Sequence, residues 1–175
     1  MRKQQKGFSL IELLIVVAII LIIAAIAIPN LMRAKIAAND SSAAGSMRSI
    51  VTAEIGYFSA YPTIGYAANL KTLGGALGVA CVPSTTTACF LDSTLANDGN
   101  PANTGKSGYN FVAAPIAATL TTPAEFFATG TPLGTTSGSK AYCTTDDGVI
   151  RTQAAGVITV VPDYGTCQGL GSLAN

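Results

Sequence analysis

From residue 8 to residue 28 every side chain is apolar except Ser9 and Glu12. As an α-helix rising about 1.5 Å per residue, that run reaches roughly 31 Å, the thickness of a bilayer's hydrocarbon core. Pro29 closes it. A proline ends most soluble helices, but a membrane helix accommodates one with a kink. Beyond Pro29 the pattern changes rather than stops. Ile36, Ala43, Met47, Ile50, Val51, Ile55 and Phe58 recur at helical spacings, with Asp40, Ser42, Arg48 and Glu54 between them. The chain therefore predicts one long helix from about residue 9 to 60, kinked at Pro29 and ended by Tyr61-Pro62. No heptad persists through the second half, so its apolar face is expected to lie against a domain rather than in a free coiled coil.

Residues 62–107 carry little periodicity and are rich in Gly, Thr, Ala and Asn, which reads as a long surface loop. Strand signals follow at GYNFVAA (108–114), EFFAT (125–129), AYCTT (141–145), VIRT (149–152) and VITVV (157–161). Asp147-Gly148 between two of them is a hairpin signal. The expected architecture is α+β: a long N-terminal helix with a membrane half and an amphipathic half, the latter packed on an antiparallel sheet of about four strands. Four cysteines allow three pairings. We favour Cys81–Cys89, closing a short loop, with Cys143–Cys167 tying the last strand region back to the sheet.

Charge then orients the chain. Three of its ten cations, Arg2, Lys3 and Lys6, precede the apolar run, leaving seven basic against nine acidic side chains beyond it. Such a flank stays cytoplasmic, so the C-terminal part is expected outside the membrane, where an even cysteine count is at home. No basic field remains for nucleic acid. The chain contains no histidine. That removes the commonest general base, the usual Ser and Cys triads and most zinc sites, and no C-x-x-C occurs; no catalytic residue, metal or cofactor is expected.

Glu12 is the feature that asks for an explanation. A carboxylate in a membrane helix costs about 2.5–3.5 kcal/mol at the bilayer centre, less near an edge, and the default reading is a functional group with a partner. A secretory signal peptide, with Ala25-Ile26-Ala27 as its cleavage site, has a shorter apolar stretch and no internal acid. A plain membrane anchor explains length and orientation but neither Glu12 nor Gly7. The block KGFSLIELLIVVAIILIIAAIAIP, residues 6–29, uses all of them. It resembles the N-terminal signature of type IV prepilins and pseudopilins: a basic leader, Gly7, Phe8, Glu12 and a closing Pro29, in that order. GYNFVAAP, EFFATGTP and AYCTTDDGVIR more loosely resemble the sheet region of long type IV pilins and of the major pseudopilin.

The resemblance implies cleavage between Gly7 and Phe8 by a membrane prepilin peptidase, and N-methylation of Phe8 by the same enzyme. It implies residues 1–7 as leader, 8–29 as the transmembrane and polymerising half of the helix, 30–61 as the amphipathic half, 62–107 as a variable loop region and 108–175 as the sheet and C-terminal disulfide region. Phe8 and Glu12 lie one helical turn apart, so in a staggered stack Glu12 of one copy meets the new Phe8 amine of the next. The implied function is a structural subunit, not an enzyme. It is held in the inner membrane with its C-terminal domain in the periplasm, then polymerised with copies of itself into an extracellular filament for adhesion, twitching motility or DNA uptake. An inner-membrane platform and a motor ATPase would drive assembly. The rivals are a type II secretion pseudopilin or minor pilin, and a membrane-anchored periplasmic protein. Pilins commonly carry a glycine before the proline where the helix loosens; residues 21–25 have none.

Other constellations carry less. Asp92, Asn97, Asp98 and Asn100, and the pair Asp146-Asp147, supply the oxygens calcium takes, but turns select the same residues and neither has EF-hand spacing. Asn39-Asp40-Ser41 matches a glycosylation sequon, a motif frequent by chance. No aromatic lies between Phe8 and Tyr57, so the rod has no closely spaced aromatics for electron transfer.

Overall fold

The computed structural model describes residues 8–97, 105–119 and 124–173. Helix α1 runs Leu10–Ala60 and is helical through Pro29. The chain forms two compact units, one ending at Lys35 and the other running Ile36–Asn175. In the first unit the large apolar side chains from Phe8 to Met32 are all exposed, from 46% at Val17 to 82% at Phe8.

The second unit is an antiparallel meander with helical elements around it. Strands β1 (Tyr109–Ile116), β2 (Glu125–Pro132), β3 (Tyr142–Thr145) and β4 (Arg151–Thr152) pair in chain order. The α+β expectation holds. Along β1, Tyr109, Phe111 and Ala113 are buried and alternate with more exposed neighbours, as a half-buried strand requires. They meet Ala43, Met47, Ile50, Ala53 and Tyr57 of α1 in one core with Phe126 and Ala128 of β2. The helix comes close at Gly130, where a Cβ would lie 2.8 Å from the Phe111 ring and 3.3 Å from Met47 Sδ.

Three expectations need correction. Ile55 and Phe58 remain 50% and 37% exposed, whereas Glu54 is wholly buried. At about 100° per residue Glu54 lies roughly 40° from Ile50, inside the packed face, while Ile55 lies roughly 140° away. Residues 62–107 are not simply loop. Asn69 caps α2 (Leu70–Gly74) and Asp92 caps α3 (Ser93–Ala96), and Leu70, Leu73 and Leu95 anchor the two helices in the core. Residues 157–161 form no strand. The outer side of β4 is taken instead by the C-terminal segment, through Thr152 N–H to Gly171 O and Leu173 N–H to Ile150 O. Val161 packs against Cys143 and Cys167, and Asp163 then caps a further helix, α4 (Tyr164–Gln168).

A polar knot ties α1 to the loop before β3. Asp40 Oδ1 accepts from the Tyr109 hydroxyl at 2.5 Å and from Ser139 N–H at 3.0 Å, and Oδ2 accepts from the Ser139 hydroxyl at 2.5 Å. Asn39 Nδ2 donates to Ser137 O at 2.7 Å, so the sequon asparagine uses its amide to hold the loop. Gly138 sits under Tyr109, and a Cβ there would overlap the ring and hydroxyl. Because Tyr109 is fully buried, the ring has nowhere to swing. Gly138→Ala is expected to cost about 1–3 kcal/mol. A denaturant midpoint equal to wild type, measured on the full chain in detergent, would refute this account of the knot.

Candidate functional site

The N-terminal end of α1 is built on Ser9 and Glu12. Ser9 O accepts Leu13 N–H at 3.2 Å and opens the helix. Glu12 Oε2 reaches back one turn to accept Ser9 N–H at 3.0 Å, in a position exposed to its surroundings. This is the carboxylate half of a capping box, and it satisfies one of the donors that every helix start leaves open. The acid also lies at the positive end of the helix dipole. Glu12 takes the Ser9 nitrogen and not that of Phe8, which in the uncut chain is a peptide nitrogen. Gly7, and with it the bond expected to be cut, lies outside the described residues.

Pro29 removes one donor from the helical ladder, and Asn30 Nδ2 donates to Ile26 O at 3.1 Å beside it. The cysteines are joined as Cys81–Cys89 within the 62–107 segment and as Cys143–Cys167 between β3 and α4. The oxygen-rich loops have structural employment. Asp92 accepts from Thr94 and Leu95 N–H, and Asn97 Nδ2 donates to Gly75 O and Ser93 O. Asp146 accepts the Tyr164 hydroxyl at 2.6 Å, and Asp147 pairs with Arg151, whose hydrogen bond holds the Asp147 carboxyl below its ordinary range. Asp98 and Asn100 lie outside the described residues.

The residue that spacing alone did not single out is Glu54. Its Oε2 accepts Ala67 N–H at 2.9 Å, while Oε1 is buried without a hydrogen-bond partner among the described residues. Burial raises its carboxyl from 4.5 to about 7, against the opposing pull of the Ala67 N–H. Tyr57 and Tyr66 stand near enough to feel its charge. A helical wheel centred on Ile50 would have placed it inside.

Similarity to known proteins points to the N-terminal segment. Residues 2–28 match the family described as "Prokaryotic N-terminal methylation motif". Two type IV major pilins are similar to the chain over part of its length. The chain is similar to the "Type IV major pilin protein PilA" of Myxococcus xanthus, at 46% identity over 56 residues, 32% of this chain and 26% of that one. It is also similar to the "Type IV wide pilus major component PilA4" of Thermus thermophilus. There the identity is 62% over 39 residues, 22% of this chain and 30% of the relative. The matches thus span under a third of each relative's length. No solved structure matches the chain. Glu12 and Glu54 are the two acids whose placement is most expensive, one on an apolar exposed helix and one in the core.

The sign of the Glu54 effect follows from its raised value. A carboxyl that binds its proton more tightly folded than unfolded contributes stability that is complete below pH 4.5 and is lost as pH rises through about 7. The loss approaches about 3 kcal/mol by pH 8. Thermal melts of the full chain in detergent are expected to fall between pH 5 and pH 8, and Glu54→Gln is expected to flatten that fall. An equal fall in the Gln variant would exclude Glu54 as its source.

Proposed function

We propose that this chain is the structural subunit of a type IV pilus, cut between Gly7 and Phe8, methylated at Phe8, and polymerised through α1 into an extracellular filament. The observation that carries the reading is the coincidence of the methylation motif with an apolar helix exposed on every side and headed by one acid. A helix apolar all round has no stable place in water, so it needs lipid first and neighbouring helices afterwards. The basic leader favours a single-pass precursor with its C-terminal part in the periplasm. Prepilin peptidase, an inner-membrane platform and a motor ATPase complete the machinery the reading requires. Nothing in the reading is catalytic: the chemistry at Phe8 belongs to the processing enzyme.

Cleavage exchanges the three leader cations for one amine at Phe8. That amine, presented by the next copy, gives Glu12 a charged partner, and in a low-dielectric bundle the pair sets the axial register. Adhesion, twitching motility and DNA uptake are all activities such a filament serves.

The N-terminal mass of sheared surface filaments tests the reading: it should begin at Phe8 with one added methyl group. An intact Gly7–Phe8 bond in a chain that never leaves the membrane would instead mark an anchored periplasmic protein. Glu12→Ala should be processed and inserted normally but yield at least about tenfold fewer filaments, as expected when one partner of a desolvated charge pair is lost. Wild-type filament yield from that variant would remove Glu12 from assembly. Gly7→Leu should leave a full-length precursor on a gel, because a branched side chain replaces the one residue that leaves the backbone unobstructed.

A further inference from the structure

The globular unit has two electrically opposite ends. At one end of the sheet a groove of about 390 Å³ is lined by Asp40, Ala44, Arg48, Lys140, Tyr142 and Leu173, among others. Arg48 and Lys140 have no ion-pair partner among the described residues. Asp40 shares the lining but forms no ion pair with either cation; its oxygens accept from Tyr109 and Ser139. Tyr142 is only 3% exposed and lines this groove, and its hydroxyl has no hydrogen-bond partner among the described residues. The groove thus offers two cations and a nearly buried phenol that no described residue answers.

The opposite end is acidic. Tyr142 pairs with Gly130 and Thr145 with Phe127, so Glu125 at the start of β2 and Asp146 just past β3 share the far end of the sheet. The run from Glu125 to Gly130 is roughly 17 Å of strand. Glu125 and Asp146 both border Tyr164, whose hydroxyl Asp146 accepts and whose ionisation both charges oppose. Neither acid has a cation partner among the described residues, whereas Asp147 has Arg151 and Asp92 has Lys106. The helix confirms the polarity of this unit. Asp40 sits at the groove end against Ser139, and Phe58 sits at the acidic end against Tyr66, which in turn contacts Phe126.

We propose that the Arg48–Lys140 groove of one copy of this chain receives the Glu125–Asp146 edge of a second copy, stacking the globular units head to tail. Complementary patches at opposite ends of one body cannot satisfy each other within a subunit. They form a heterologous contact, which propagates as an open helix. This inference rests on the filament reading above and adds to it a contact outside the N-terminal helix.

Charge reversal on the full chain, in cells that assemble it, tests the contact. Arg48→Glu and Glu125→Lys are each expected to lower sheared filament by about tenfold or more, because like charges then face each other across the contact. Processed protein in the membrane should stay at wild-type level. Combining the two reversals should restore filament to within about threefold of wild type. Single variants that assemble normally, or a double variant no better than either single, would overturn the contact while leaving the subunit reading intact. A processed wild-type chain that makes no filament would overturn both. Where a reversal depletes the membrane pool, Arg48→Cys and Glu125→Cys in separate co-expressed copies replace it, bridged by a short bis-maleimide. Mixed dimers are expected in the assembled fraction, and their absence there would equally defeat the contact.

Discussion

The exposed apolar surface between Phe8 and Met32 is the constraint on which the rest of the molecule depends. Each Leu, Ile or Val there forgoes about 1.5–3 kcal/mol if left in water, and none is buried by the chain's own fold. Such a helix must be covered by lipid or by other helices. In lipid the hydrophobic drive between helices disappears, so association falls to close packing and to the few polar groups present. A single carboxylate at the head of the run then carries more consequence than any other side chain in it. The second half of α1 is one-sided instead, and the domain grips it through that single face. Met47 against Gly130 and the Asp40–Tyr109–Ser139 knot supply that grip.

Glu54 shows how the grip is graded along the helix. At the Asp40 end the carboxylate has three donors on its two oxygens. At the Glu54 end a buried carboxyl has one donor and an oxygen unanswered by any described residue. A buried polar atom without a partner costs about 1–3 kcal/mol, and a charge there costs more, which is why the proton is held to about pH 7. The acid is nonetheless the acceptor for Ala67 N–H, so it fastens the turn after the helix to the helix itself. Within the packed half of α1, the stretch around Asp40 is therefore the more firmly held one, and the stretch around Glu54 is sensitive to pH.

Much of this was readable in the residues. The all-round apolar run, the one-sided half after it, the alternation in β1 and the Asp147-Gly148 turn all follow from period and turn chemistry. What escaped has physical reasons. Glu54 and Ile55 are neighbours in sequence, and only the angle about the helix axis, not a chain of threes and fours through Val51, separates core from surface. The helices α2, α3 and α4 have four or five residues, too few for a period to show, although Asn69, Asp92 and Asp163 announce each as capping residues. Residues 157–161 have the composition of a strand, but an edge accepts only one partner, and a segment from the far end of the chain holds it. The two-ended charge arrangement was also invisible, because Arg48 lies 92 positions from Lys140 and only the sheet register places Glu125 beside Asp146.

The Glu12 cap bears directly on how such a helix could leave the membrane. Pairing with the amine of another copy, as proposed above, leaves Ser9 N–H in place, because that hydrogen bond, worth about 1 kcal/mol, uses Oε2 alone and Oε1 can still accept. A carboxylate–ammonium pair enclosed among apolar helices is worth several times that once both charges are desolvated together, and separating it again leaves two unanswered charges. The cap thus holds one carboxylate oxygen in place at the head of the helix and leaves the other to accept from a charged partner. The order Ser9-Leu10-Ile11-Glu12 places both uses on one carboxylate, the cap on Oε2 and, if the proposed cleavage frees an amine at Phe8, the ion pair on Oε1.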